Sequence, residues 1–112
     1  MNVAQEEKVS IYSRDFCVAG TSFYPESKDV SENDQLFLEL EPSNMFDSNA
    51  IKVLTKEGKL IGYVPRNYNL PIRTNLLDGA TYEAVVTKML YSGVPLVYLK
   101  MFSKNPDLGR ES

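Results

Sequence analysis

Residues 36–65 read LFLELEPSNMFDSNAIKVLTKEGKLIGYVP, three short apolar runs separated by turn-forming residues. In the first run Leu36, Leu38 and Leu40 alternate with Phe37, Glu39 and Glu41, a period of two that puts one face of a strand into a core. Pro42 ends it, and the turn-rich SNMFDSN segment follows. Ala50-Ile51-Lys52-Val53-Leu54 repeats the alternation, with Lys52 outward when Ile51 and Val53 face inward. Lys56-Glu57-Gly58-Lys59 then turns the chain into Leu60-Ile61-Gly62-Tyr63-Val64, Gly58 supplying the positive φ that short hairpins need. Strands are expected over 35–41, 49–55 and 59–64, antiparallel to one another.

Working outward, Ser10 to Ala19 reads as a first strand with a tight exit at Gly20. The stretch YPESKDVSEND, Tyr24 to Asp34, is polar and aperiodic and is expected to be a surface loop. Pro65 closes the central strands. A short helix is expected over Asn69 to Leu77, with Asn69 as N-cap, Pro71 in the first turn and Asp78-Gly79 as the stop. Two further strands, within 81–91 and 94–102, are joined at Ser92-Gly93. About six strands and one helix define an all-β class, and a closed or nearly closed small antiparallel barrel is the arrangement that removes exposed edges. Residues 10–103 are read as one domain, with polar tails at 1–9 and 104–112.

Composition removes several kinds of chemistry. The 112 residues include one cysteine, Cys17, and no histidine, so an internal disulfide and a cysteine–histidine zinc site are both excluded. No metal and no other cofactor is expected. Cys17 sits in the apolar run Phe16-Cys17-Val18-Ala19 and reads as a small buried hydrophobe rather than a nucleophile. No phosphate-binding Gly-Lys-Ser/Thr loop, nucleophile elbow or dinucleotide turn occurs, and an enzyme is not expected. No apolar run approaches the roughly 18 residues that span a bilayer, and the start MNVAQEEKVS is polar, so a soluble cytoplasmic protein without membrane contact is the expectation. The net charge of −3 is unevenly spread: residues 1–43 carry −6, whereas residues 44–104 carry +4. An acidic chain of this kind has room for a basic face, although ordinary solvated lysines account for the same count.

Three linked segments carry the most specific information. They are Phe16-Cys17-Val18-Ala19-Gly20-Thr21-Ser22-Phe23-Tyr24, then Leu40-Glu41-Pro42-Ser43-Asn44-Met45-Phe46-Asp47-Ser48-Asn49-Ala50-Ile51-Lys52-Val53, and Ile61-Gly62-Tyr63-Val64-Pro65-Arg66. In order and spacing they resemble the HIRAN domain family: a strand ending Val-x-Gly-x-x-aromatic-Tyr, a Glu-Pro-x-Asn-Pro-aromatic-Asp-x-Asn-Ala turn, and an Ile-Gly-aromatic return. The resemblance covers roughly residues 14–102 and is similar to stand-alone prokaryotic members.

The resemblance implies an OB-like barrel and a non-catalytic module that binds single-stranded DNA or captures its 3′ end, in relatives fused to Snf-type, helicase-like ATPases of fork repair and remodelling. It implies that Phe23 and Phe46 sandwich bases, that Asp47 lies at the terminal sugar and that Arg66 lies near phosphates. Two departures stand out: Ser22 occupies the position at which DNA-end binders carry arginine, and Met45 the position of a turn proline. The residues themselves allow plainer roles. Phe23 and Phe46 read equally well as core plugs, Asp47 and Asn49 as side chains fixing their own turn, Gly62 as a point of close backbone approach or a bulge, and Tyr63 and Tyr68, which could extend a stacking surface, as the ordinary tyrosines of strand and loop edges. The alternative function is a protein-interaction barrel that keeps the fold without binding DNA.

Overall fold

The computed structural model describes residues 9–106, and the expected tails lie largely outside the described residues. Six strands and one helix follow in the order β1 (Val9–Cys17), β2 (Phe37–Leu40), β3 (Ile51–Leu54), β4 (Leu60–Tyr63), α1 (Arg66–Leu77), β5 (Thr81–Tyr91) and β6 (Pro95–Pro106). They form two antiparallel three-stranded sheets, ordered β1-β6-β5 and β2-β3-β4. The alternation in the sequence decides the inward faces: Leu36, Leu38, Ile51, Val53 and Ile61 are buried, while Phe37 is exposed and Lys52 half-buried. On the larger sheet Phe16, Ala84, Val86, Val97, Leu99 and Met101 meet them in one core.

The sheets do not close into a barrel. β2, β3 and β4 are four residues each, against nine to twelve in the other sheet. Pro42 and Pro65 follow closely on β2 and β4, and a proline cannot donate to a ladder, so the short strands have little length with which to zip onto the long ones. Each seam is instead spanned by one isolated bridge, Ala19 to Tyr63 on one side and Gln35 to Val85 on the other. At the first seam the Ala19 N–H donates to the Tyr63 carbonyl at 2.8 Å and the Tyr63 N–H to the Ala19 carbonyl at 2.9 Å. Such close approach requires Gly62: a Cβ there would lie 2.5 Å from the Ala19 oxygen and 2.6 Å from Val18 Cγ1. The arrangement remains OB-like, two three-stranded sheets that meet at two bridged seams without closing.

Two expectations are corrected. Residues 24–34 are not a featureless loop: short 3₁₀ turns at Thr21–Phe23 and Pro25–Asp29 bury Ser27 and are followed by buried Val30, which tie the segment to the core. Thr21 anchors the first turn, its hydroxyl donating to the Pro95 carbonyl at 2.6 Å, while Ser27 Oγ donates to the Thr21 carbonyl at 3.1 Å. α1 starts at Arg66, three residues before the expected cap, with Pro65 in the N-cap position and Pro71 inside the helix. Asn69 is therefore not a cap. It lies buried on the helix face that also buries Ile72, and Tyr68 from the same helix meets Phe16 with ring centroids 5.9 Å apart. Cys17 is half-buried, and burial pushes its thiol pKa up, the reverse of what a nucleophile needs.

Candidate nucleic-acid interface

The turn between β2 and β3 is held by its own polar side chains. Asn44 Oδ1 accepts from the backbone N–H groups of Phe46 at 2.8 Å and Asp47 at 3.0 Å, and its amide donates to Glu41 Oε1 at 2.9 Å. Glu41 Oε1 also accepts from the Tyr63 hydroxyl at 2.8 Å, which ties the turn to β4. These two hydrogen bonds hold the Glu41 carboxyl below its ordinary pKa. Burial, and then the bond to Glu41, push the Tyr63 phenol far above its ordinary value, so it stays a neutral donor. Tyr24 stands beside it, ring centroids 6.2 Å apart, and so links the turn after β1 to the same side of the molecule.

Asp47 is a hub. Its Oδ1 accepts from the Asn49 N–H at 2.9 Å, as an Asx turn does, and its Oδ2 accepts from the buried Asn69 amide at 2.8 Å. Arg66, the first residue of α1, approaches the same Oδ2 with Nε at 3.5 Å and donates from Nη2 to the Phe46 carbonyl at 3.3 Å. The Arg66 side chain is 72% exposed, so this ion pair contributes little to stability and leaves the guanidinium facing solvent.

Phe46 and Phe23 are 85% and 79% exposed, which rules out the core-plug role for both. Phe46, Asp47, Tyr63 and Arg66, four of the six residues expected at the site, line one open pocket of about 240 Å³ with Ala19, Asn44, Ala50 and Val64. The other two stand apart from it. Ser22 lines a neighbouring hollow with Tyr24, Lys28 and Tyr91, and Phe23 projects from the 3₁₀ turn between Ser22 and Tyr24 without lining either cavity. Tyr68, the remaining aromatic candidate, is turned toward the core instead, packed on Phe16. Met45, where the family turn has proline, is 90% exposed. Sequence reasoning missed Glu41, Asn44 and Asn69. The Glu-Pro-x-Asn spacing was a visible signal for the first two; Asn69 is brought in only by the packing of the helix.

Among the described residues no cluster of three or more histidine, cysteine, aspartate or glutamate side chains is placed to hold a metal, and no helix is long and apolar enough to cross a membrane.

Comparison with known proteins gives the site its context. The HIRAN domain family model matches residues 11–92. A search among curated proteins finds no match. Among solved structures, the crystal structure of the HIRAN domain of human HLTF superposes with a TM-score of 0.77 at 23% identity, covering 93% of this chain and 85% of that one. A crystal structure of a protein from Lactobacillus plantarum gives 0.72 at 22% identity, over 87% and 98% of the two chains. The NMR structure of the HLTF HIRAN domain in its DNA-bound conformation gives 0.69 at 22% identity, over 96% and 88%. These likenesses establish a shared fold. With the family model spanning most of its length, the chain belongs to the HIRAN domain family.

Proposed function

We propose that this domain is a non-catalytic module that holds single-stranded DNA, its bases stacked on Phe46 and Phe23 and its backbone beside Arg66. The observation that carries the reading is the exposure of two phenylalanines on turns that are themselves braced by side-chain hydrogen bonds. A phenyl ring left in water forgoes about 1.5–3 kcal/mol of burial, and a rigid mount makes it a platform for a π-face. A solved HIRAN domain in a DNA-bound conformation supports the same class of ligand. Ser22, exposed and without a guanidinium, favours strand holding over capture of a 3′ end. The wider role in this reading is the targeting of a repair or remodelling assembly, with a helicase-like ATPase as the partner class.

The test is fluorescence anisotropy with labelled single strands bearing free or blocked 3′ ends, beside a blunt duplex. Single strands bind better than duplex, because only unpaired bases expose their faces, and free and blocked ends bind equally. Phe23→Ala with Phe46→Ala weakens binding by about 2–6 kcal/mol if each ring supports one base, with the thermal midpoint unchanged because neither ring is in the core. Absence of binding to any strand at low salt, with the protein folded, refutes this reading in favour of the protein-interaction barrel.

A further inference from the structure

A second hollow, about 550 Å³ in volume, lies elsewhere, on the outer face of the β1-β6-β5 sheet, lined in part by Asp15, Cys17, Lys88, Tyr98 and Lys100. β6 is the central strand of that sheet. Its odd-numbered residues Val97, Leu99, Met101 and Ser103 are buried in the core, so Tyr98, Lys100, Phe102 and Lys104 alternate along the opposite face. Aromatic and basic side chains thus follow one another at about 6.6–6.8 Å, the i to i+2 repeat of a strand, comparable to one repeat of a stretched nucleotide chain. Lys88, opposite Tyr98 in the β5–β6 register just past the irregularity at Val86/Lys88, holds its ammonium 5.7 Å from the Tyr98 ring centroid. A smaller hollow of about 160 Å³, bordered by Phe102 and Lys104, continues the line.

This groove adjoins the loop site along the backbone. Cys17 lines the groove and Ala19, two residues on, lines the pocket of Phe46 and Arg66. We propose that the outer face of β1-β6-β5 is a second contact track for single-stranded nucleic acid, on which a strand leaving the loop pocket stacks on Tyr98 and then Phe102 and sets its phosphates beside Lys88, Lys100 and Lys104. The inference rests on the loop-site reading for the direction of the strand, and on the alternation along β6 for the track itself. Two acids share the face, Asp15 and Glu83. Lys100 is 3.9 Å from Asp15, in a pair whose side chains are 48% and 74% exposed, so a phosphate competes with that contact at little cost.

Length separates the two sites. Anisotropy is measured with strands of 4 and 14 nucleotides, within the range a single OB-type fold engages. The 14-mer binds tighter than the 4-mer by more than the roughly tenfold that its extra registers supply. Lys88→Ala with Lys100→Ala leaves the 4-mer unchanged, and makes the 14-mer salt slope shallower by about 1.4, since each phosphate neutralised on a single strand contributes about 0.7. Tyr98→Leu, which keeps the half-buried volume, weakens the 14-mer alone by about fivefold or more, the low end for one stacked base. Asp15→Asn strengthens the 14-mer and not the 4-mer. A 14-mer bound no tighter than its registers allow, or one indifferent to the lysine pair, overturns the track. A wild type that ignores the 4-mer yet holds the 14-mer through Lys88 and Lys100 removes the loop site and sustains the track.

Discussion

Gly62→Ala tests the seam on which fold and site both depend. The added methyl would sit 2.5 Å from the Ala19 carbonyl oxygen and 2.6 Å from Val18 Cγ1, at a φ of +154° that side chains avoid. β4 must retreat from the end of β1, and the paired Ala19–Tyr63 hydrogen bonds of 2.8 and 2.9 Å are lost or stretched. Two hydrogen bonds at about 0.5–1.5 kcal/mol each, with about 1–3 kcal/mol for overpacking, give a loss of about 2–6 kcal/mol. For a domain of this size each kcal/mol moves the midpoint by about 4–8 °C, so the melting temperature falls by about 8 °C at the least. Thermal melts and urea titrations followed by circular dichroism measure it, with an unchanged urea slope showing that the same surface unfolds. Because Ala19 and Tyr63 also line the loop pocket, strand affinity falls at temperatures where the variant is still folded. A midpoint within about 3 °C of wild type refutes the reasoning, since it means the seam absorbs a Cβ without moving.

Asn44→Ala removes the acceptor for two backbone N–H groups and the donor to Glu41; amide hydrogen exchange at Phe46 and Asp47 speeds up, and stability drops by about 1–2 kcal/mol. Glu41 has a folded pKa depressed chiefly by the Asn44 hydrogen bond and then by that of Tyr63, so its contribution is present above the ordinary carboxylate value and is lost as pH falls through the lower folded value. Acid titration of stability shows this limb, and Glu41→Gln flattens it. Arg66→Ala weakens strand binding chiefly through salt dependence, its slope falling by about 0.7 in a log–log plot while the melting temperature barely moves, since Arg66 is largely exposed and Asp47 keeps the Asn49 and Asn69 donors.

What was legible in the sequence was periodicity and punctuation. Leu36/Leu38 and Ile51/Val53 alternate, and they are the residues that meet in the core. Gly58 marks the hairpin, where the Gly58 N–H donates to the Thr55 carbonyl at 2.8 Å. The positions that escaped are those whose state depends on a distant partner. Asn69 has the chemistry of an N-cap, yet Asp47 lies 22 residues away in the chain and claims its amide. Residues 24–34 look solvated by composition, but buried Ser27 is held by Thr21 and buried Val30 joins the core. Of the closed or nearly closed barrel expected, full closure is not reached, because edge avoidance is a tendency of sheets, whereas the lengths of β2, β3 and β4 are fixed by Pro42, Pro65 and the turns between them. The exposure of Phe23 and Phe46 was equally beyond periodicity, for both lie in turns, where no alternation assigns a face.

The site combines a largely satisfied polar frame with unsatisfied apolar faces, and that division decides what kind of grip it offers. A carboxylate has about four acceptor positions, and those of Asp47 already take the Asn49 N–H, the Asn69 amide and the approach of Arg66. In the proposed reading, a terminal sugar hydroxyl meets an acceptor with little spare capacity, and Ser22 brings no guanidinium to the end of the strand. Recognition of an end therefore has few groups left to perform it. In that reading stacking suffers no such depletion: the Phe46 and Phe23 rings stand clear of the core, and an exposed aromatic face can stack on any base. The frame's own bonds hold the Phe46 ring out, so the more completely Asp47 and Asn44 are engaged within the protein, the better that ring is mounted and the less sequence or end chemistry matters. A strand holder indifferent to termini is the binding mode that this distribution of satisfied and unsatisfied groups favours.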